Sequence, residues 1–86
     1  MPIICRFFGV IVRMFYDDHN PPHIHVEYQD QKATLDFRGN ILRGGLESKT
    51  ALKLIREWVD LHTQELLEDW ELAKSGQKIK EIDPLN

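Results

Sequence analysis

"HIHVEYQDQKATLDF", residues 23–37, is the stretch that decides the fold. Apolar and polar residues alternate through 23–28 and again through 32–37, the period of a strand with one buried face. The polar "QDQ" between the two runs predicts a tight reversal, so they pair as an antiparallel hairpin. With Asp30 and Gln31 at the turn, Tyr28 faces Ala33, Val26 faces Leu35 and Ile24 faces Phe37 on the core side. On the other side Glu27 faces Thr34, His25 faces Asp36 and His23 faces Arg38. A slip of one residue would bury the polar set, whereas a slip of two leaves both faces unchanged.

Upstream, "RFFGVIVRMFY" (6–16) is rich in aromatic and β-branched residues and reads as a first strand, with Gly9 marking a bulge or a close backbone approach. "DDHNPP" (17–22) is a loop, in which Pro21 and Pro22 impose an extended entry to the next strand. Downstream, "RGN" (38–40) turns the chain into a short fourth strand, "ILR" (41–43), which Gly44 and Gly45 end.

From Ser48 to Lys74 the period changes to that of a helix: Ala51, Ile55, Trp58, His62, Leu66 and Ala73 recur near every 3.6 residues. Glu47 or Ser48 serves as cap, and Gly76 as stop. Such a helix would be about 40 Å long. Its apolar stripe turns toward Val59, Leu66, Trp70 and Ala73 in the second half, while Asp69 falls where the first stripe would continue. The helix therefore kinks near "HTQ" (62–64), or its end packs on something other than the sheet. Ile79, Ile82 and Leu85 give the tail residues to dock. The predicted class is α+β in a single domain, 1–86. It is a four-stranded, mainly antiparallel meander, one face covered by a long C-terminal helix, followed by an extended tail.

The chain has 86 residues and a net charge of −3, without the overall basic footprint of most nucleic-acid binders. Lys/Arg and Asp/Glu balance over residues 1–45, so the acidic excess lies on the helical part. One cysteine, Cys5, excludes an internal disulfide and a cysteine-based zinc site, and reads as a small buried hydrophobe. "MPIICRFFGVIV" is too short and too interrupted to span a bilayer. No signal peptide is read, and a cytoplasmic location is expected.

Three histidines within "HNPPHIHVEY" (19–28) are the chemically suggestive feature. His23 and His25 lie two apart on a strand and point away from the core. The plain reading is a solvated sheet face. A zinc site built on H-x-H would need His19 or Asp36 as third ligand and lacks a fourth, so neither a tight structural zinc nor any cofactor is expected. Acid–base chemistry is the third reading, with His25 as base, Asp36 orienting it and His23 as acid. Arg13 and Arg38, with His19 nearby, then bind substrate phosphate, a set suited to metal-independent cleavage of RNA. His62, on the helix stripe, is a packing residue.

"RFFGVIVRMFYDDHNPPHIHVEY" and "LLEDWELA", with "KIKEIDPL" in the tail, resemble the small prokaryotic family known as domain of unknown function 4160 (DUF4160). The resemblance implies a bacterial protein working beside a small cognate protein from a neighbouring gene, in a toxin–antitoxin-type module or as a regulator. It assigns no catalytic residue. Two functions follow: a toxin component that cleaves or binds RNA through the histidine face, or a non-catalytic antitoxin- or regulator-like module that docks a protein. Leu66, Leu67 and Trp70, ringed by acidic residues, are expected to overhang the sheet and to form a homodimer or partner interface.

Overall fold

The computed structural model describes residues 2–16 and 18–86. Asp17, the first position of the "DDHNPP" loop, lies outside the described residues. The strands are β1 (Ile3–Phe7), β2 (Val10–Arg13), β3 (His23–Tyr28), β4 (Gln31–Asp36) and β5 (Ile41–Gly44). They form one antiparallel meander in the order β1-β2-β3-β4-β5. Two helices follow, α1 (Lys49–Leu61) and α2 (Thr63–Lys74).

The α+β class and the antiparallel sheet agree with the sequence reading, but there are five strands rather than four. The predicted first strand is a hairpin. Phe8 and Gly9 both have positive φ, 48° and 82°, as a two-residue turn between right-twisted strands requires. Aromatic residues rarely adopt that conformation, so the sequence reads as continuous strand here. The β3–β4 register also differs by the two-residue slip that keeps the faces. The turn is Gln29-Asp30, Tyr28 pairs Gln31, Val26 pairs Ala33 and Ile24 pairs Leu35. Ile24, Val26, Ala33 and Leu35 are all buried, as the alternation requires, while Phe37 packs at the margin of the core.

The predicted long helix is two. Ser48 caps α1, its Oγ accepting the Ala51 N–H at 3.0 Å. The chain leaves the helical path at His62 (φ −118°, ψ 23°), where the sequence places the kink. There the Thr63 hydroxyl donates back to the Val59 carbonyl, competing with the helical ladder. The break lets α1 bury Ala51, Ile55, Trp58 and Val59, and α2 bury Leu66, Asp69, Trp70 and Ala73, against one core. No helix among the described residues is long and apolar enough to cross a membrane.

Residues 77–86 form the outer wall of that core. The Ile82 N–H donates to the Ile4 carbonyl at 2.8 Å, and Ile79 and Ile82 are buried. The overhang expected at the helix end is therefore absent. Leu66 and Trp70 are 0% and 3% exposed within the chain's own fold, and of the proposed association patch only Leu67 is exposed. Cys5 is buried as expected, and burial pushes its thiol pKa up, away from reactivity.

Asp69 sits where the apolar stripe continues, and it is buried rather than displaced from the stripe. Its Oδ1 accepts the Lys80 N–H at 3.0 Å, while its Oδ2 has no partner. Burial lifts its carboxyl above the ordinary range; the Lys80 amide and ammonium oppose that lift, and Glu65 and Glu68 add to it. Between the unfolded pKa and this raised value, the folded state keeps a proton that the unfolded state has lost. Stability therefore falls as pH rises through that window. Asp69→Asn keeps the acceptor for Lys80 and cannot ionise. Its Tm at neutral pH is expected to exceed the wild type's by a few degrees, with a flatter profile from pH 4 upward. Thermal melts of both proteins across pH check this, and a variant less stable at neutral pH would refute it.

Candidate functional site

The sheet face turned away from the helices carries the polar half of each alternating strand. Strand pairing sets Arg13 beside His25, His25 beside Thr34, and Thr34 beside Arg43. One row thus crosses four strands, with a guanidinium at each end and an imidazole and a hydroxyl between them. Its backbone span is about 14 Å, three interstrand spacings. The next row brings Ile11, Glu27 and Lys32 into line.

These rows floor an open groove of about 700 Å³, with Phe15 as part of its wall. Phe15 packs against the His25 ring at a centroid distance of 4.2 Å. Arg13 donates through Nε to Glu27, and both side chains are about a quarter exposed. Lys32 and Arg43 complete the basic lining, against Glu27 as the lining's acidic residue. A chain that is acidic overall has a locally basic groove.

The loop after β2 contributes the carboxylate. Asp18 Oδ2 lies 2.8 Å from His23 Nε2 and 3.2 Å from His25 Nε2. Its Oδ1 accepts the His19 N–H at 3.0 Å. Burial works to raise the Asp18 pKa, but the hydrogen bonds from His25, the His19 amide and His23 outweigh it and hold the carboxyl below the usual range. The far nitrogen of each imidazole also has a partner. His23 Nδ1 is 2.6 Å from the Pro21 carbonyl, and His25 Nδ1 is 3.5 Å from Thr34 Oγ1. His23 is buried, its ring 5.2 Å from that of Trp70, whereas the His25 side chain is 29% exposed and belongs to the groove.

The residues singled out from the sequence divide accordingly. Arg13 and His25 are strand partners and line the groove together, whereas His23 meets His25 through Asp18 and is buried outside the groove lining. Asp36 does not join them. In the observed register it pairs His23, and its carboxylate turns into the β4–β5 loop to accept the Arg38 N–H, the Asn40 N–H and the Asn40 side-chain amide. Burial tends to raise the Asp36 pKa, and these donors hold it below the usual range. Arg38 lies on that loop, outside the groove lining, and the His19 side chain is 93% exposed with Nδ1 3.3 Å from Asp18 Oδ1. Burial with both nitrogens engaged makes His23 a poor proton donor to a substrate in the groove.

Asp18, Lys32, Arg43 and Phe15 were not assigned roles from the sequence. Lys32 and Arg43 follow from counting once the turn is placed at Gln29-Asp30. For Asp18 the signal is only a carboxylate five positions before a histidine, in a loop with no periodicity.

A family model described as a domain of unknown function (DUF4160) matches residues 9–71, well over half of the chain and inclusive of this site. No curated protein and no solved structure matches it.

Proposed function

We infer function on the premise that the chain belongs to the DUF4160 family, and we assign the groove to RNA. In this reading the protein is a toxin of the toxin–antitoxin type. The groove grips a short single-stranded segment, and His25, oriented by Asp18, is where phosphodiester chemistry takes place. One observation carries it: the row Arg13–Thr34–Arg43 places a guanidinium on each side of His25. Guanidinium forks suit phosphate oxygens, and an aromatic wall such as Phe15 suits a base. The limited basic area fits contact with a few nucleotides rather than tracking along a duplex. The setting implied is the bacterial cytoplasm, with a small cognate protein holding the toxin in check.

The second reading, an antitoxin- or regulator-like docking module, is favoured by β5. All four of its residues are exposed, Ile41 and Leu42 among them, and it forms an edge of the sheet. An open edge with apolar side chains accepts a partner's strand.

Regulated expression in a bacterial host separates the two. Wild type is expected to arrest growth and to leave cut RNA. His25→Ala and Asp18→Asn should relieve the arrest, with cleavage by purified protein falling about a hundredfold or more. Asp36→Asn should still arrest growth, since its carboxylate serves the loop. Growth and RNA untouched by wild type would leave the docking module as the function.

A further inference from the structure

We propose that Asp18, His23 and His25 form a binding site for a divalent transition-metal ion, Zn²⁺ by preference. Their ligand atoms lie within 4.8 Å of one another. Two imidazole Nε2 atoms converge on one carboxylate oxygen, Asp18 Oδ2, at 2.8 and 3.2 Å. Three ligands around a tetrahedral zinc, each about 2.0–2.2 Å from it, stand roughly 3.4 Å apart. Opening the cluster by a few tenths of an ångström makes room for the ion.

The partners behind the three groups strengthen the case. A metal-binding imidazole ordinarily donates its other N–H to a carbonyl or similar acceptor, which sets tautomer and ring direction. His23 does so to the Pro21 carbonyl at 2.6 Å, and His25 has the Thr34 hydroxyl at 3.5 Å. Both arrangements leave Nε2 as the coordinating atom. The third group is oriented in the same way. The His19 amide holds Asp18 Oδ1, which leaves Oδ2 to face the histidines. Without an ion, His23 presents both nitrogens to oxygen acceptors, and His25 presents its Nε2 to the same Oδ2. An ion between the three groups lets each neutral imidazole keep one donor and one lone pair in use.

The donor set selects the class of ion. Two nitrogens and one carboxylate suit zinc and its first-row neighbours better than magnesium or calcium, which prefer oxygen. Three protein ligands leave a coordination position for water or substrate. His25 belongs to both the cluster and the groove lining. An ion there would be a Lewis acid at the groove, able to polarise a phosphoryl oxygen. Only that last use rests on the RNA reading; binding of the ion does not.

The test uses the full chain without RNA, stripped of metal by chelator. Zn²⁺ is titrated calorimetrically, and Co²⁺ is followed through its visible absorption. One ion per chain is expected, with a clear rise in Tm. The His23 and His25 ring signals in the NMR spectrum should shift most on zinc addition, while those of His62 stay in place. Asp18→Asn, close to isosteric, should weaken binding at least a hundredfold, and Thr34→Val about tenfold or more. Arg43→Ala should leave it unchanged. No saturable binding by wild type at micromolar zinc, or shifts confined to His19 or His62, would overturn the proposal whether or not a variant folds. In that event His25 oriented by Asp18 remains the proton-handling pair, and the RNA reading stands or falls on the expression experiment.

Discussion

Trp58→Ala should remove most of the stability of this chain. Trp58 has no exposed surface and stands where α1 meets the sheet and the tail. Its ring lies 5.7 Å from that of Phe7 and 5.4 Å from that of His62. Its indole N–H donates to the Asp83 carbonyl at 2.8 Å. Truncation leaves a large cavity between three elements and releases the tail, at a cost of about 3–5 kcal/mol. Domains of this size commonly have only about 5–10 kcal/mol in total. Urea unfolding followed by circular dichroism should show a large fall in midpoint. Trp58→Phe, which retains a ring but not the bond to Asp83, should fall between. A loss below about 1.5 kcal/mol for the alanine variant would mean that the tail and α1 do not depend on this side chain.

Gly44→Ala is the second large effect, and it acts on the groove rather than on the core. Gly44 closes β5 at φ +72° and pairs Ala33. A Cβ there would lie 2.3 Å from the Lys32 carbonyl oxygen, which is backbone and cannot rotate away. The left-handed conformation alone costs an alanine about 1–2 kcal/mol, and relief of the clash requires β5 to move off β4. The Gly45 N–H bond to the same carbonyl, 3.1 Å, would be lost with it. A loss of about 2 kcal/mol or more is expected, with faster hydrogen exchange at β4 and β5 than in α1. Because Arg43 precedes this glycine, the RNA reading of the groove predicts weaker RNA retention than in Arg43→Ala itself. An unchanged Tm would show that the edge strand accommodates the methyl group.

Much of the fold is legible in local pattern. Alternation over 23–28 and 32–37 determines which side chains of the central hairpin are buried, and that survives the two-residue error in register. The reason is geometric: strand side chains repeat every two residues, so parity and register are separate facts, and apolar patterning reports only parity. The helix break at His62 was readable for a similar reason. A stripe that changes direction relative to a 3.6-residue period cannot stay on one face of one straight helix. The Phe8-Gly9 turn was not readable, because Phe disfavours the conformation it adopts and strand pairing on both sides overrides that preference.

The candidate site divides along the same line. His23 and His25 lie two apart on one strand, so the sequence by itself determined that they share parity, but not that His23 is buried with its ring against Trp70. The carboxylate is not the one that strand pairing suggests. Asp36 looked right because it shares that parity, yet three nearby donors in its own loop claim it. Asp18 comes from a segment without periodicity, so the position of its carboxylate depends on tertiary packing rather than on local pattern. Likewise Leu66 and Trp70 read as an exposed patch until α2 packs onto the core, where the Trp70 ring meets His23 and Phe37. Local sequence determines which residues face which way, since that depends on backbone period alone. Which residues meet across the chain depends on long-range packing, and only the tertiary structure decided that Asp18, rather than Asp36, joins the two histidines.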